Sequence, residues 1–348
     1  MRLEIDVEKK LGKFFLDAGI HSDSRRIGIL GASGCGKSMT LKCIAGIETP
    51  DRGRISLEGR CLFDSQKKIN QKPQMRGLGY LFQNYALFPT MTVAQNVAAG
   101  LKGTRMERQR RTEEMIRRFH LEGLEERLPG QLSGGQQQRA ALARIMAYEP
   151  KLIMLDEPFS ALDVHLKEQL CQEMKGMLGS YEGTVILVSH SRDEIYQFSD
   201  TLFILDQGKV VRSGGTREIF ADPGNSVSAR LTGCKNISAA RRLGERLVFA
   251  SDWNLTLQTV KKVPDTLRYV GIRAHDLEPS REERENCLPC RITAVSEAPF
   301  ETLYMVQCPQ REQMIWWKAA KNRMDEQGLS SIPEYLYLPP KRLLLLEE

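Results

Sequence analysis

Gly31-Ala32-Ser33-Gly34-Cys35-Gly36-Lys37-Ser38 is the stretch whose reading decides the fold. Gly31 and Gly36 enclose four residues and are followed at once by Lys37 and Ser38. Before the stretch, Arg26-Ile27-Gly28-Ile29-Leu30 has strand character; after it, Met39 to Gly46 can turn as a helix. In that strand, loop and helix setting, glycines let backbone N–H groups converge on phosphate oxygens. The helix N-terminus adds a partial positive charge. Lys37 then reaches the β- and γ-phosphates of a nucleotide, and the Ser38 hydroxyl can ligate Mg²⁺.

A chain of 348 residues is long for one core and suits two domains. Charged residues at 27% and hydrophobic residues at 41% describe a globular protein, and a net charge of +6 over this length is too mild to indicate nucleic acid. With no apolar run near 18 residues and no signal-peptide core at Met1-Arg2-Leu3-Glu4-Ile5-Asp6, a soluble intracellular chain is expected. Eight cysteines without a regular framework suit a reducing compartment. Cys287 and Cys290 form a lone C-x-x-C, which cannot complete a four-ligand zinc site and reads as a turn at Pro289. Cys35, inside the phosphate loop, is expected to be open to thiol reagents without taking part in chemistry.

Along the chain, Leu3 to Val7 and Lys13 to Ala18 read as antiparallel strands forming an edge sheet, and Arg54 to Gly59 as a further short strand. Gly79-Tyr80-Leu81-Phe82-Gln83 reads as a buried strand ending on a polar side chain. From about residue 84 to 150 the sequence favours helix. Arg105, Arg108, Arg110, Arg111, Arg117 and Arg118 are interleaved with Glu107, Glu113 and Glu114, the pattern of a solvated helix face. Leu132-Ser133-Gly134-Gly135-Gln136 then opens a helix, placing Ser133 and two glycines at a second helix N-terminus suited to phosphate.

Leu152-Ile153-Met154-Leu155 is the continuous apolar run of a buried parallel strand and delivers Asp156 and Glu157 at its C-terminal end, where ligands of open α/β sheets collect. Asp156 is the candidate partner of Ser38 in holding Mg²⁺, and Glu157 the candidate to polarise an attacking water. A helix from about Val164 to Leu178 leads to a second buried strand, Thr184 to Val188, ending in Ser189-His190, so His190 is expected at the same sheet edge. Leu202 to Val211 reads as a closing hairpin turning at Asp206-Gln207-Gly208-Lys209. The pattern breaks at Asp222-Pro223-Gly224-Asn225, and short β-type runs follow from Arg246 to Lys318, which predict a small all-β barrel beyond a boundary near 230. Trp316 and Trp317 read as core or interface residues more readily than as pocket walls.

Together these residues resemble the ATP-binding subunits of ATP-binding cassette (ABC) transporters. The match rests on the loop 31–38, Gln83, Leu132-Ser133-Gly134-Gly135-Gln136, Asp156-Glu157, Ser160-Ala161-Leu162-Asp163 and His190, in order, and covers about residues 1–230. The resemblance implies an α/β P-loop NTPase core of ABC type, with an antiparallel β edge subdomain and a helical subdomain at about 84–150. It implies ATP and Mg²⁺ as cofactors, with Gly31 to Ser38 and Met39 on the nucleotide and Ser38, Gln83 and Asp156 on the metal. Glu157, His190, Gln83 and Lys37 would be the catalytic group. Ser133, Gly134, Gly135 and Gln136 would act in trans, in a head-to-tail homodimer that sandwiches ATP, with Asp163 at its interface.

Residues 231–348 look like the β-rich, OB-like extension of TOBE or MOP type carried by bacterial and archaeal import cassettes. Within that group the chain is most similar to molybdate importer ATPases, through Leu128-Pro129-Gly130-Gln131-Leu132-Ser133, Ser189-His190-Ser191-Arg192-Asp193-Glu194 and Gly271-Ile272-Arg273-Ala274-His275-Asp276. Sulfate, iron, polyamine and sugar importers carry related extensions. The implied protein is peripheral on the cytoplasmic face of the membrane and drives uptake of an oxyanion, molybdate or tungstate first. It would work with integral permease subunits and, indirectly, an extracellular or periplasmic binding protein; oxyanion binding by the extension would be regulatory. Cassettes that act on nucleic acid or ribosomes carry paired cassettes or long coiled coils, which this sequence lacks. One departure stands out: Leu11 occupies the position where many cassettes stack an aromatic ring on adenine, leaving Phe14 or Phe15 as candidates.

Overall fold

The computed structural model describes residues 2–160, 164–179, 181–308, 313–321 and 333–348. Its contacts divide into two compact units, Met1–Arg217 and Glu218–Glu348. The first unit opens with β1 (Leu3–Leu11), β2 (Phe14–Ser22), β3 (Arg26–Leu30) and helix α1 (Lys37–Ala45). Next come β4 (Arg52–Leu57), β5 (Arg60–Asp64), β6 (Ile69–Asn70), the one-turn α2 (Pro73–Arg76) and β7 (Leu78–Leu81). Three helices follow, α3 (Val93–Ala98), α4 (Arg105–Arg118) and α5 (Gly134–Ala147). The remainder is β8 (Leu152–Asp156), α6 (Val164–Gly179), β9 (Thr184–Ser189), α7 (Arg192–Phe198) and the hairpin β10 (Thr201–Asp206) with β11 (Lys209–Gly215).

These strands form one 11-stranded sheet in the order β6-β5-β4-β1-β2-β11-β10-β3-β9-β8-β7. From β10 to β7 the neighbours are parallel. Every residue of β8 and β9 is buried, which is why Leu152–Leu155 and Val185–Val188 within them are unbroken apolar runs. The antiparallel portion joins the parallel core between β2 and β11, at Lys209 and Asp17. β1 and β2 alternate buried and exposed positions, as expected of an edge sheet with one face on the core. Arg76, only 2% exposed, closes the C-terminal end of α1 by donating to the carbonyls of Cys43 and Ile44 at 2.9 and 2.6 Å. Burial lowers its pKa, and the carbonyls satisfy its donors.

The helical stretch starts all three helices in the same way. Thr92, Thr104 and Ser133 are N-caps whose side chains accept from the third helical N–H, while Gln95, Glu107 and Gln136 reach back to the cap N–H. On α4 the arginines from 105 to 110 are exposed, and Arg111 pairs with Glu114 and Glu149, in keeping with a solvated face.

Helix α8 (Thr216–Ala221) spans the division between the units and is followed by α9 (Ser226–Leu231). The second unit is otherwise β: β12 (Asn236–Gly244), β13 (Leu247–Ala250), β14 (Leu255–Gln258), β15 (Tyr269–Ile272), β16 (Glu278–Ser280) and β17 (Cys287–Pro289), then β18 (Arg291–Glu297), β19 (Glu301–Gln307), β20 (Met314–Ala320), β21 (Tyr335–Tyr337) and β22 (Leu344–Leu346). Two expectations need correction here. The division falls at 217/218, ahead of the expected 230, because Arg273 donates to the carbonyls of Phe220 and Thr232, and Asn225 bridges to Glu347. Among the described residues the strands form three sheets, β14-β13-β12-β15-β22, β16-β21-β17 and β18-β19-β20, rather than one continuously paired barrel. They share a core around Trp253 and Trp317, each 1% exposed. Trp317 stacks on Tyr304 at 4.7 Å within that core, as expected, whereas Trp316 is partly exposed and lies under the Lys235 ammonium.

Candidate active site

Strand β3 ends where the glycine loop begins, at the C-terminal edge of the parallel strands. Gly31 must lack a side chain, since a Cβ there would lie 2.4 Å from the Leu205 carbonyl oxygen and 2.5 Å from Cys35 Sγ. Gly36, the N-cap of α1, sits at φ 108°, a conformation that favours glycine. The β10–β11 turn supports the loop from below, through Gly208 N–H donating to the Cys35 carbonyl at 3.0 Å. Cys35 is buried, and desolvation raises its thiol pKa; the expectation of a reactive cysteine is therefore corrected, because the thiolate is disfavoured.

Five sequence candidates converge at this edge. Ser38 Oγ donates to Asp156 Oδ1 at 2.8 Å, joining α1 to the end of β8. Lys37, 4% exposed, donates to the carbonyls of Gly31 and Ala32 at 3.0 and 2.9 Å, and its Nζ lies 3.6 Å from Glu157 Oε1. His190 Nδ1 lies 3.2 Å from Glu157 Oε2. Glu157 is thus held between a lysine and a histidine.

Two features were not visible in the sequence. Glu157 has φ 46°, a strained left-handed conformation for a glutamate, which typically costs about 1–3 kcal/mol and persists only where the surroundings enforce it. The enforcement is backbone bonding: its N–H donates to Val188 O at 3.0 Å, and its carbonyl accepts from Ser160 N–H and Oγ at 3.1 and 2.9 Å. The second is Tyr80, whose hydroxyl donates to Asp156 Oδ2 at 2.8 Å. Burial and the neighbouring carboxylate raise the Tyr80 pKa, which keeps it a donor.

The donor set suits a small hard cation. Ligands at adjacent corners of an octahedron with metal–oxygen distances of about 2.0–2.1 Å lie about 2.9 Å apart, and Ser38 Oγ and Asp156 Oδ1 are 2.8 Å apart.

Other candidates are not gathered here. Gln83 lies two residues beyond the end of β7 in an exposed turn, so the expectation of a strand running to Gln83 is corrected. The strand stops because Tyr85 and Ala86 turn left-handed at φ 60° and 46°, and Arg144 of α5 donates to both their carbonyls. By strand pairing, Leu81 beside Leu155, Gln83 still leaves the sheet at the edge that carries Asp156. Ser133 and Gly134 are exposed at the start of α5, Gly135 and Gln136 are partly exposed, and among the described residues none of the four bonds to residues 31–39. Met39 follows Ser38 in the first turn of α1. Asp163 lies outside the described residues. Beside the loop, an open cavity of about 500 Å³ is lined by Lys13, Phe14, Phe15, Ala32 to Cys35 and the β10–β11 turn; Leu11 is not among its walls.

Residues 20–160 match the sequence pattern of the ABC transporter family. Over 351 aligned residues, 98% of this chain and 96% of the relative, the chain is 32% identical to the sulfate/thiosulfate import ATP-binding protein CysA of Halalkalibacterium halodurans. The chain belongs to the ABC transporter family. It is an ABC ATPase of the import type. A shorter alignment of 247 residues, 68% of this chain and 70% of the relative, gives 40% identity to the Fe(3+) ions import ATP-binding protein FbpC of Haemophilus influenzae. Among solved structures, the ATPase resembles a dimeric ATP-binding cassette in a post-hydrolysis state with ADP and phosphate, at TM-score 0.52 and 29% identity, covering 62% of this chain and 99% of that one.

Proposed function

We propose that this ABC ATPase drives uptake of a small oxyanion, with sulfate or thiosulfate ahead of molybdate or tungstate. The observation that carries the reading is the full-length likeness to a sulfate/thiosulfate import ATPase, which extends through both units. The iron importer relative, and a spermidine/putrescine relative from Nitratidesulfovibrio vulgaris at 39% identity, match over about two thirds of this chain, so iron and polyamine remain behind the oxyanion. Neither those names nor the sulfate relative's mention molybdate, and the preference moves accordingly.

In the proposed reaction Lys37 and the N–H groups of the loop hold the β- and γ-phosphates of ATP, and Glu157 takes a proton from the attacking water. His190 orients Glu157 and faces the γ-phosphate, while Gln83 senses the site from the loop after β7. Ser38 and Asp156 would hold Mg²⁺, which would supply neutralisation of phosphate charge. Ser133 to Gln136 would complete the site of a second copy, the exposed N-terminus of α5 offering N–H groups to its ATP. No helix among the described residues is long and apolar enough to cross a membrane, so translocation is assigned to separate permease subunits with this chain on their cytoplasmic side. The β-rich second unit is read as a regulatory extension of TOBE or MOP type.

The test is uptake in cells lacking this chain and complemented with it, using labelled sulfate, thiosulfate, molybdate, Fe³⁺ and spermidine. Restored sulfate or thiosulfate uptake is expected. Restoration of iron or polyamine uptake alone would refute the oxyanion reading.

A further inference from the structure

Tyr80 has no place in the reaction as described so far, yet it touches the aspartate at the centre of the metal site. Asp156 is 6% exposed, and its two oxygens are engaged separately: Oδ1 by Ser38 Oγ and Oδ2 by Tyr80 Oη, each at 2.8 Å. A carboxylate with one free oxygen can rotate about its terminal torsion, which is broad, or present both oxygens to a cation. Here the phenol removes that freedom. The ring is itself fixed, packed against the central core and tilted at 31° against Phe82 with centroids 4.2 Å apart. Its strand, β7, pairs in parallel register with β8, setting Tyr80 beside Met154 two residues before the aspartate.

We propose that Tyr80 is a positioning residue: by occupying Asp156 Oδ2 it turns Oδ1 alone toward Ser38, presets a one-oxygen ligand for the divalent cation, and ties the strand leading to Gln83 to the metal site. The inference rests on the reading of Ser38 and Asp156 as the cation's ligands. Mutating the hydrogen-bond partners of metal ligands typically costs about 10–100-fold in metal affinity or activity.

The test uses the full chain with Mn²⁺ as probe and a non-hydrolysable ATP analogue. Mn²⁺ affinity is read by electron paramagnetic resonance, and analogue affinity in the presence of a chelator by fluorescence titration. Tyr80→Phe keeps the ring and removes the donor; it is expected to weaken Mn²⁺ binding about tenfold and leave metal-free analogue binding unchanged. Mn²⁺ binding that is unchanged or tighter overturns the proposal. An equal loss of metal-free binding does so too, because it marks a merely structural role. Asp156→Asn separates the two levels. If that variant weakens Mn²⁺ binding and Tyr80→Phe does not, the inference about Tyr80 falls alone; if Asp156→Asn leaves Mn²⁺ binding intact, the ligand assignment falls and the inference with it.

Discussion

At the scale of single residues, Glu157 is defined by its surroundings rather than by its identity. Lys37 and His190 each meet one of its oxygens, and two backbone–backbone bonds with a third from the Ser160 hydroxyl hold it in a left-handed conformation it would not choose. Glu157→Gln keeps the shape and removes the basic oxygen. It is expected to lower ATP hydrolysis by about 10²–10⁴-fold, read as phosphate release, while a fluorescent ATP analogue binds as before. Turnover near that of the unaltered chain would remove Glu157 from its role. The pairing of Ser38 with Asp156 was legible in the sequence, since a glycine loop followed by Lys-Ser and a buried strand ending in Asp-Glu are complementary halves of one chemistry. Tyr80 was not, because inside an apolar strand a tyrosine reads as packing until its hydroxyl is seen to reach a carboxylate.

At the scale of elements, the β1–β2 hairpin brings aromatic rings to the cavity beside the phosphate loop. Its tight turn at Gly12 and Lys13 pairs Leu11 with Phe14, and Phe14 and Phe15 line the cavity beside the phosphate loop. Phe14 is partly buried against the central core, whereas Phe15 is 46% exposed, and of the two rings we propose Phe15 for adenine stacking. Phe15→Ala is expected to weaken ATP binding about two- to tenfold, the range given by a stacking contribution of about 0.5–1.5 kcal/mol, with the thermal midpoint nearly unchanged. Equal ATP affinity in a fluorescence titration would exclude that ring. The three capped helices show what local sequence can announce: Thr92 with Gln95, Thr104 with Glu107 and Ser133 with Gln136 repeat one reciprocal pattern readable from spacing. The end of β7 could not be read that way, as Arg144 of α5 draws Tyr85 and Ala86 into a turn from 58 residues away.

At the scale of the whole molecule, burial of cysteine thiols couples folding to pH. Cys234 and Cys308, each 2% exposed, have thiols pushed by burial from the ordinary 9.0 up to about 11. Below pH 9 both folded and unfolded chains keep these protons and stability is complete. As pH rises from about 9 to 11 the unfolded chain releases them first, so stability falls through that window. Calorimetry should show this decline in the second unit, and Cys234→Ala combined with Cys308→Ala should reduce it, the Cys290 thiol, also pushed by burial up to about 11, keeping a share of the remainder; an unaltered slope would mean that the two thiols do not contribute. The sequence by itself determined the loop at 31–38, the parallel strands carrying Asp156, Glu157 and His190, and a β-rich second part, because sheet periodicity and phosphate binding are local demands on neighbouring residues. Tertiary structure decided the rest: the grip of Tyr80 on Asp156, the strain at Glu157, the cavity at Phe14 and Phe15, the division at 217/218 and the three separate sheets. Each depends on side chains or backbone groups that meet only after distant segments pack, and no spacing along the chain encodes such a meeting.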